Sequence, residues 1–163
     1  DTDTDPSDVD CSATYTSPSP GVCITETLDC GETIFASNTG GSTFYDMLDF
    51  ENTCEDWALF EPNSIYDGPE RVYEFDIPAG DMGEVFIDSP CATLDSRLVT
   101  TGTECPTSII SCRAPFYDGP TQWEELTHKS VPGGANGARY EVTVDSYNGA
   151  EGNFSISLVC WTP

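Results

Sequence analysis

The strongest constraint on the fold is a set of short segments in which apolar and polar residues alternate. Apolar side chains recur at every second position in Arg71 to Ile77, and the same period is present in Arg139 to Asp145 and in Asn153 to Cys160. Gly, Pro, Asn and Asp separate such segments. A period of two places the apolar side chains on one face of a half-buried strand. The pattern predicts an all-β protein, an antiparallel β-sandwich of about eight strands with no long helix.

Weaker versions of the pattern extend this prediction along the chain. Further strands are expected over residues 22–27, 32–37, 84–88, 97–101 and 108–113, and a turn or two of helix over 44–51 or 122–129. Residues 146–152 join the last two strands and contain Asn148-Gly149. Asn-Gly supplies the positive φ angles of a reversing turn, so we expect the last two strands to pair as a hairpin.

Eight cysteines are spread along the sequence, and none belongs to a Cys-x-x-Cys pair. This favours disulfides over structural zinc, since zinc ligands usually come in tight pairs and His128 is the sole histidine. Disulfides imply an oxidising compartment, so we expect a protein that is secreted, extracellular or held at a cell surface. Cys160 lies at an alternate position after Phe154, Ile156 and Leu158, on the same predicted inner face, so its disulfide is expected to be buried in the core. The predicted disulfide residues are Cys11, Cys23, Cys30, Cys54, Cys91, Cys105, Cys112 and Cys160.

The charge balance limits the possible partners. Twenty-nine acidic residues against five basic ones give a formal net charge of −24. Such a field repels a phosphate backbone, which argues against a nucleic-acid partner. No apolar run reaches the roughly 20 residues that cross a bilayer, so no membrane span is expected. Divalent cations are the natural partners of this surface.

Calcium is the expected cofactor, because it binds flexible carboxylates and loop carbonyls. Asp1, Asp3 and Asp5 have the alternating spacing of calcium loops, although Pro6 stands where such loops prefer glycine. The other candidates lie in turns or at strand ends, where backbone carbonyls are free. The predicted calcium ligands are Asp1, Asp3, Asp5, Asp67, Glu70, Asp88, Asp118 and Asp145.

Two features describe the organisation of the chain. Residues 1–21 are an acidic arm rich in Thr, Ser and Pro, and residues 22–163 form the domain. Within the domain, Tyr-Asp-Gly-Pro occurs at 66–69 and again at 117–120. Each copy leads to a Pro-x-Gly turn, at 78–80 or 132–134, and then to a strand that ends in Asp-Ser. The repeat predicts two similar strand-turn-strand units, as expected in a two-sheet sandwich.

Three of these motifs carry a family resemblance. Residues 68–75 (GPERVYEF) with the turn at 78–80 resemble the "GPE-x-VY-x-F…P-x-G" block of bacterial pre-peptidase C-terminal domains. Residues 140–154 resemble the family's closing "Y-x-V-x-V-D-G-Y-x-G-A-x-G-x-F/Y" segment, with Ser146 where glycine is usual, and residues 94–98 resemble its "L-D-x-x-L" strand. Cys30 and Cys160 match its cysteine-rich version. The resemblance covers residues 28–161.

The resemblance implies a jelly-roll-like β-sandwich module of secreted bacterial proteins, often beside a protease, with binding or assembly roles, sometimes calcium, and no catalytic residues. In agreement, no Gly-x-Ser-x-Gly motif accompanies His128, and we predict no enzymatic activity.

We predict a structural or adhesive protein that self-assembles into a homo-oligomer or polymer, such as a fibre or surface layer, through its arm on the sheet edge of a neighbour. One alternative is a monomeric cell-surface module that binds carbohydrate or protein through exposed aromatic residues, and a third is a secreted hydrolase. The aromatic candidates are Tyr15, Tyr45, Trp57, Tyr66, Tyr117, Trp123, Tyr147 and Trp161.

Overall fold

The fold is that of a two-sheet β protein. The computed structural model describes residues 9–15, 22–44, 68–92, 94–101, 109–113, 127–146 and 149–163. These residues form nine strands: β1 (Glu26–Thr27), β2 (Thr33–Ser37), β3 (Arg71–Ile77), β4 (Met82–Asp88), β5 (Leu94–Thr101), β6 (Ile109–Arg113), β7 (Thr127–Pro132), β8 (Ala138–Ser146) and β9 (Asn153–Trp161). The described part of the chain contains no helix with the length and apolarity that a membrane span requires.

The strands divide between two sheets. Sheet A has the order β1-β3-β8-β5-β6, and sheet B has the order β2-β9-β4-β7. β1 runs parallel to β3, and every other described pair is antiparallel. The predicted fold class, an all-β antiparallel sandwich with disulfides, is confirmed.

A single apolar core lies between the inner faces of the two sheets. Tyr73 of sheet A contacts Phe154 of sheet B edge to face, with ring centroids 6.2 Å apart. Phe75 stacks on Tyr140 of the adjacent strand at 5.6 Å. Alternation therefore assigned these inner faces correctly. The buried core residues are Leu28, Tyr73, Phe75, Ile77, Val85, Ile87, Val131, Tyr140, Val142, Val144, Phe154, Ile156 and Leu158.

The connection between the last two strands departs from the predicted hairpin. Gly149 has a φ of 75°, as a reversing turn requires. However, β8 pairs with β3 and β5 in sheet A, whereas β9 pairs with β2 and β4 in sheet B. The hairpin prediction is therefore wrong. The chain reverses at residues 146–152 but crosses from one sheet to the other, because Phe154 and Ile156 pack in the core from the side of sheet B.

Two other predicted elements differ in the structure. Helix was one expectation for residues 122–129, yet residues 127–129 begin β7, which pairs with β4. The strand predicted over 22–27 is reduced to Glu26 and Thr27, the two residues that pair with β3. Of the helix predicted over 44–51, Phe44 is not helical and the remaining residues lie outside the described ranges.

Disulfides connect distant parts of the chain. Cys11 is bonded to Cys91 and Cys30 to Cys160, and Cys23 is also disulfide-bonded. The prediction that the Cys160 bridge is buried in the core needs correction. Cys160 packs against the margin of the core, and Cys30 is exposed. Cys54 and Cys105 lie outside the described residues, and Cys112 lies on β6.

The internal repeat corresponds to two units that cross the sandwich in opposite directions. β3 and β4 form one unit and β7 and β8 the other, and each unit has one strand in each sheet. Their Pro-x-Gly turns meet at one end of the molecule, where Gly80 N donates to Gly134 O at 2.8 Å and Gly133 N donates to Asp81 O at 2.9 Å. This end is called the turn end below.

Candidate functional site

The opposite end of the sandwich, called the loop end below, brings together most of the motifs identified in the sequence. β2, β4 and β8 end there, and β3, β5 and β9 begin there. Polar side chains are buried at this end, and burial of a polar group is costly unless it is hydrogen-bonded; within the described residues, Ser146 Oγ has no such partner. The buried polar residues are Asn38, Glu70, Arg71, Asp88, Asp145, Ser146 and Asn153.

Asn38 joins three segments of the loop end. Its side chain is fully buried, and its Nδ2 donates to the carbonyl oxygens of Pro69 and Ala150, both at 3.0 Å. Its Oδ1 accepts a hydrogen bond from Gly152 N at 2.8 Å. Both amide donors and the amide oxygen are therefore used to hold the end of β2, the start of β3 and the β8–β9 connection together.

Arg71 connects the two sheets. It is the first residue of β3 in sheet A, yet its Nε donates to Ser37 O and its Nη2 to Thr39 O, both at 2.8 Å, at the end of β2 in sheet B. Burial lowers the pKa of Arg71, but a guanidinium stays protonated at any physiological pH. The arginine therefore serves as a permanent charged clamp on two backbone carbonyls.

Glu70 holds residues 42–44 against the start of β3. Its side chain is fully buried, and Oε1 accepts hydrogen bonds from Ser42 Oγ at 3.2 Å and from Phe44 N. The backbones of Glu70 and Ser42 also exchange hydrogen bonds, at 2.8 and 3.1 Å. This carboxylate therefore has a structural role whether or not it also contacts a cation.

The N-terminal arm is attached to the loop end. Cys11 forms its disulfide with Cys91, just beyond β4, and Asn153 Nδ2 donates to Asp10 O at 2.8 Å and to Ala13 O at 2.9 Å. The Asp10 carboxylate accepts hydrogen bonds from the backbone and hydroxyl of Ser12, which lower its pKa and form a local turn. The disulfide and the two Asn153 contacts are called the arm latch below.

The predicted calcium ligands fall into two groups. Glu70, Asp88 and Asp145 lie at the loop end, with Asp88 in sheet B, Asp145 in sheet A and Glu70 directly before β3. Asp145 Oδ1 accepts a hydrogen bond from Ser146 N at 2.6 Å. Within the described ranges, no three Asp, Glu, His or Cys side chains are grouped to hold a metal ion. The remaining predicted ligands, Asp1, Asp3, Asp5, Asp67 and Asp118, lie outside the described residues.

Sequence reasoning missed a second surface, the outer face of sheet B. Val159 and Trp161 of β9 are 47% and 39% exposed, and Phe35 and Phe86 on neighbouring strands are half-buried on the same face. Only Trp161 was among the aromatic candidates. β9 alternates through Leu158, and its outer face becomes apolar only at Val159 and Trp161, so the alternation gave no signal for this surface. Tyr15 is half-buried, and the other six aromatic candidates lie outside the described residues.

A shallow groove of about 410 Å³ lies at the turn end, between residues 76–79 and 136–139. At its rim, the Arg139 guanidinium donates to both carboxylate oxygens of Asp76, at 2.9 and 2.8 Å. These hydrogen bonds hold the pKa of Asp76 below its usual value. The groove residues include no histidine, cysteine or serine, so this ion pair has no nucleophile beside it.

Comparisons with known proteins complete this description. No family model matches the chain, and no curated protein matches it. Among solved structures, the pre-peptidase C-terminal domain of collagenase from Bacillus anthracis aligns with 89% of this chain and 99% of its own, at 10% identity and a TM-score of 0.44. The chain is similar to a pre-peptidase C-terminal domain. This is the family whose motifs the sequence resembles, and at 10% identity the similarity concerns the fold alone.

Proposed function

We propose that this protein is a non-enzymatic extracellular structural protein that self-assembles, with the N-terminal arm as its connecting segment. The arm latch is the observation that carries this proposal. The Cys11–Cys91 disulfide and Asn153 attach residues 10–13 to the loop end of their own domain. In this proposal, residues 1–9, which precede that covalently fixed point in the sequence, are the segment that contacts a neighbour.

The length and pattern of this segment suit a sheet edge. Nine extended residues reach at most about 30 Å, and a five-residue edge strand is roughly 17 Å long. Asp and Thr alternate from Asp1 to Asp5, so a strand here presents threonines on one side and carboxylates on the other. Added to a neighbour's sheet, it pairs through its backbone and places threonines on the inner face of that sheet and carboxylates on the solvent face.

Other features of the molecule support a structural and extracellular role. The polar side chains of the loop end bind backbone groups of the protein itself, as Asn38 and Arg71 do. The disulfides fit an oxidising environment, and a net charge of −24 favours solubility.

Electron microscopy and light scattering on the purified protein test the proposal. The full chain should form multimers or filaments, and a variant that lacks residues 1–8 but keeps Cys11 should not. The matched control replaces residues 1–8 with a Gly-Ser segment of equal length, which keeps the reach but removes the Asp/Thr pattern, and it should also fail to assemble. Filaments that persist without residues 1–8 would contradict the role of the arm.

A second candidate function rests on the exposed outer face of sheet B. Trp161 and Val159 offer a flat apolar platform of the kind that stacks on sugar rings or on a protein partner. Under this alternative the protein is a monomeric binding module. It predicts a monomeric mass at all concentrations, and fluorescence quenching of Trp161 by an oligosaccharide or protein ligand that is lost in Trp161→Ala.

We also propose that calcium supports the assembled form. The support is chemical: carboxylates are abundant, and Glu70, Asp88 and Asp145 lie at the end to which the arm is attached. When a cation binds only the folded state, the stabilisation grows with the logarithm of the ratio of the cation concentration to its dissociation constant. Chelator should therefore lower the melting temperature of the full chain, and an identical melting temperature in chelator and in millimolar calcium would contradict this proposal.

A further inference from the structure

β2 is an outer strand of sheet B, and among the described residues no strand pairs with its other side. Leu158 N donates to Glu32 O and Asn38 N donates to Gly152 O, which directs the backbone groups of even-numbered residues toward β9. In an antiparallel ladder the intervening residues point their N–H and C=O groups the other way. Thr33, Phe35 and Ser37 therefore face away from β9. Within the described residues, the backbone of Phe35 has no partner on that side.

β2 also lacks the devices that protect sheet edges. Natural edge strands carry charges or proline, which block pairing with another chain. The outer strands of the other edges have them: Glu26 in β1, Arg113 in β6, and Lys129 with Pro132 in β7. β2 reads Thr-Ile-Phe-Ala-Ser and has neither. Because two copies with a net charge of −24 repel each other, an uncharged edge is where they approach at least cost.

The pattern of open groups is complementary to itself. In an antiparallel pairing of β2 with β2 of a second copy, a two-fold axis at Phe35 makes the two Phe35 residues exchange both hydrogen bonds. Thr33 then lies opposite Ser37 of the other copy, whose carbonyl oxygen already accepts from Arg71 Nε, so the exchange between the two Phe35 residues is the main pair of hydrogen bonds in this contact. The two Phe35 side chains are neighbours on the outer face of the enlarged sheet, where aromatic cross-strand pairs are favourable. No other open strand in the described part of the chain combines these properties.

We propose that β2 is a two-fold association edge that joins sheet B of one copy to sheet B of a second copy. The contact does not involve residues 1–9, so it can be tested separately from the arm-mediated assembly proposed above. A two-fold contact alone closes a dimer, whereas a two-fold contact combined with an arm contact produces an open polymer.

Cysteine cross-linking tests this geometry directly. Phe35→Cys should give a covalent dimer under mild oxidation, because residues paired at the axis lie about 5.5 Å apart between Cα atoms, within the range of a disulfide. Thr33→Cys is the matched control on the same strand and face. In the same pairing, the two Thr33 positions lie four residues apart along the strands, about 13 Å, so Thr33→Cys should not form a cross-link. Cross-linking of Thr33→Cys without Phe35→Cys, or of neither, would overturn the proposal.

Sedimentation equilibrium at about 150 mM salt, where the Debye length is about 8 Å, provides the second measurement. In the chain lacking residues 1–8, the dimer should persist, and Phe35→Lys should raise its dissociation constant at least tenfold. Val159→Lys adds the same charge on the same face but on the inner strand β9, and it should change the constant less than threefold. A monomeric parent chain, or a loss of dimer in Val159→Lys but not in Phe35→Lys, would sink the edge model. Loss of filaments on arm deletion reports only on the arm contact.

Discussion

At the residue scale, two buried asparagines organise the loop end. Asn38 donates to carbonyls of Pro69 and Ala150, and Asn153 donates to carbonyls of Asp10 and Ala13. Their partners lie 31 to 143 residues away in the chain. A carbonyl buried without a donor costs about 1–3 kcal/mol, which applies to the partners of Asn38 more than to those of Asn153, because Asp10 is exposed and its carbonyl also accepts from Ala13 N.

Replacing Asn38 should therefore be costly. Asn38→Ala leaves Pro69 O, Ala150 O and Gly152 N without their side-chain partner, and we expect the free energy of unfolding to fall by about 2–4 kcal/mol. Urea denaturation under non-reducing conditions measures the change. Asn136→Ala, at an exposed position of the turn end, is the control and should change stability by less than about 0.5 kcal/mol. Equal effects of the two substitutions would contradict the role assigned to Asn38.

The Asp76–Arg139 pair predicts a small dependence of stability on pH. Arg139 lowers the pKa of Asp76 in the folded state. The pair therefore stabilises the fold fully at pH values above the unfolded-state pKa of Asp76, about 3.9. This stabilisation is lost as the pH falls through the folded-state pKa of Asp76. Both side chains are more than half exposed, which limits the contribution to roughly 0.2–1 kcal/mol. Asp76→Asn should be destabilised by this amount at pH 7 and match the parent near pH 2. Urea titrations at both pH values test the sign, and a larger deficit at pH 2 would contradict it.

At this scale, the residues on the inner faces of the strands could be predicted from the sequence, but the burial of particular polar residues could not. Tyr73, Phe75 and Ile77 alternate with acidic residues, so local spacing identifies their face. Asn38 and Asn153 stand beside turns like any exposed asparagine. Their role depends on loops that only the complete fold brings within hydrogen-bonding distance.

At the element scale, the two repeated units explain how the sandwich closes. β3–β4 and β7–β8 each cross between the sheets, so that β3 pairs with β8 and β4 with β7. Their turns meet closely: a Cβ on Gly133 would lie 1.9 Å from Pro78 O. The corresponding position of the other turn is Ala79, so only one of the two turns requires glycine for this contact.

Gly133→Ala should consequently separate the two turns. The Cβ would meet backbone atoms, which cannot rotate away, and we expect a loss of about 1–3 kcal/mol or more. Gly134→Ala is the comparison: nothing lies within 4 Å of its Cβ, and only its positive φ of 63° opposes the change, at about 1 kcal/mol. Thermal unfolding ranks the two variants. A smaller loss at Gly133 than at Gly134 would show that the turns move apart freely.

Strand type was more predictable than strand partners. The Asn-Gly turn after β8 indicates a reversal of the chain, but it does not specify which sheet the next strand joins. β7 escaped prediction because Thr-His-Lys-Ser-Val-Pro has little alternation, as expected of an outer strand that pairs on one side only. Of the candidate site, the sequence indicated the acidic loop end and the arm, but not the arm latch or the open edge of β2.

At the scale of the whole molecule, the two described disulfides lie at opposite ends. Cys11–Cys91 is at the loop end, and Cys30–Cys160 is at the turn end, where β9 finishes. They close segments of 80 and 130 residues. Both should restrict the unfolded chain strongly, and only the first attaches the arm.

Paired removal of each bridge separates these roles. The Cys11→Ser/Cys91→Ser and Cys30→Ser/Cys160→Ser variants should each lose roughly 2–5 kcal/mol of stability. Only the first should accelerate hydrogen exchange at Ser12 and Ala13, whose amides bond within the Asp10 turn, because Asn153 alone then holds the arm. Exchange followed by mass spectrometry measures this difference. Unchanged protection in the first variant would show that the disulfide is not needed to fix the arm.

The arm latch also determines how the molecule would carry tension. A pull on the arm passes through the Cys11–Cys91 bond to the loop end of β4, whereas a pull on Trp161 acts on β9 at the turn end. β4 and β9 are adjacent, antiparallel and paired at seven positions, so the two forces slide one strand along the other. Their hydrogen bonds are then loaded simultaneously in shear rather than opened one after another. A subunit pulled between its arm and Trp161 would therefore resist extension through the whole β4–β9 ladder at once.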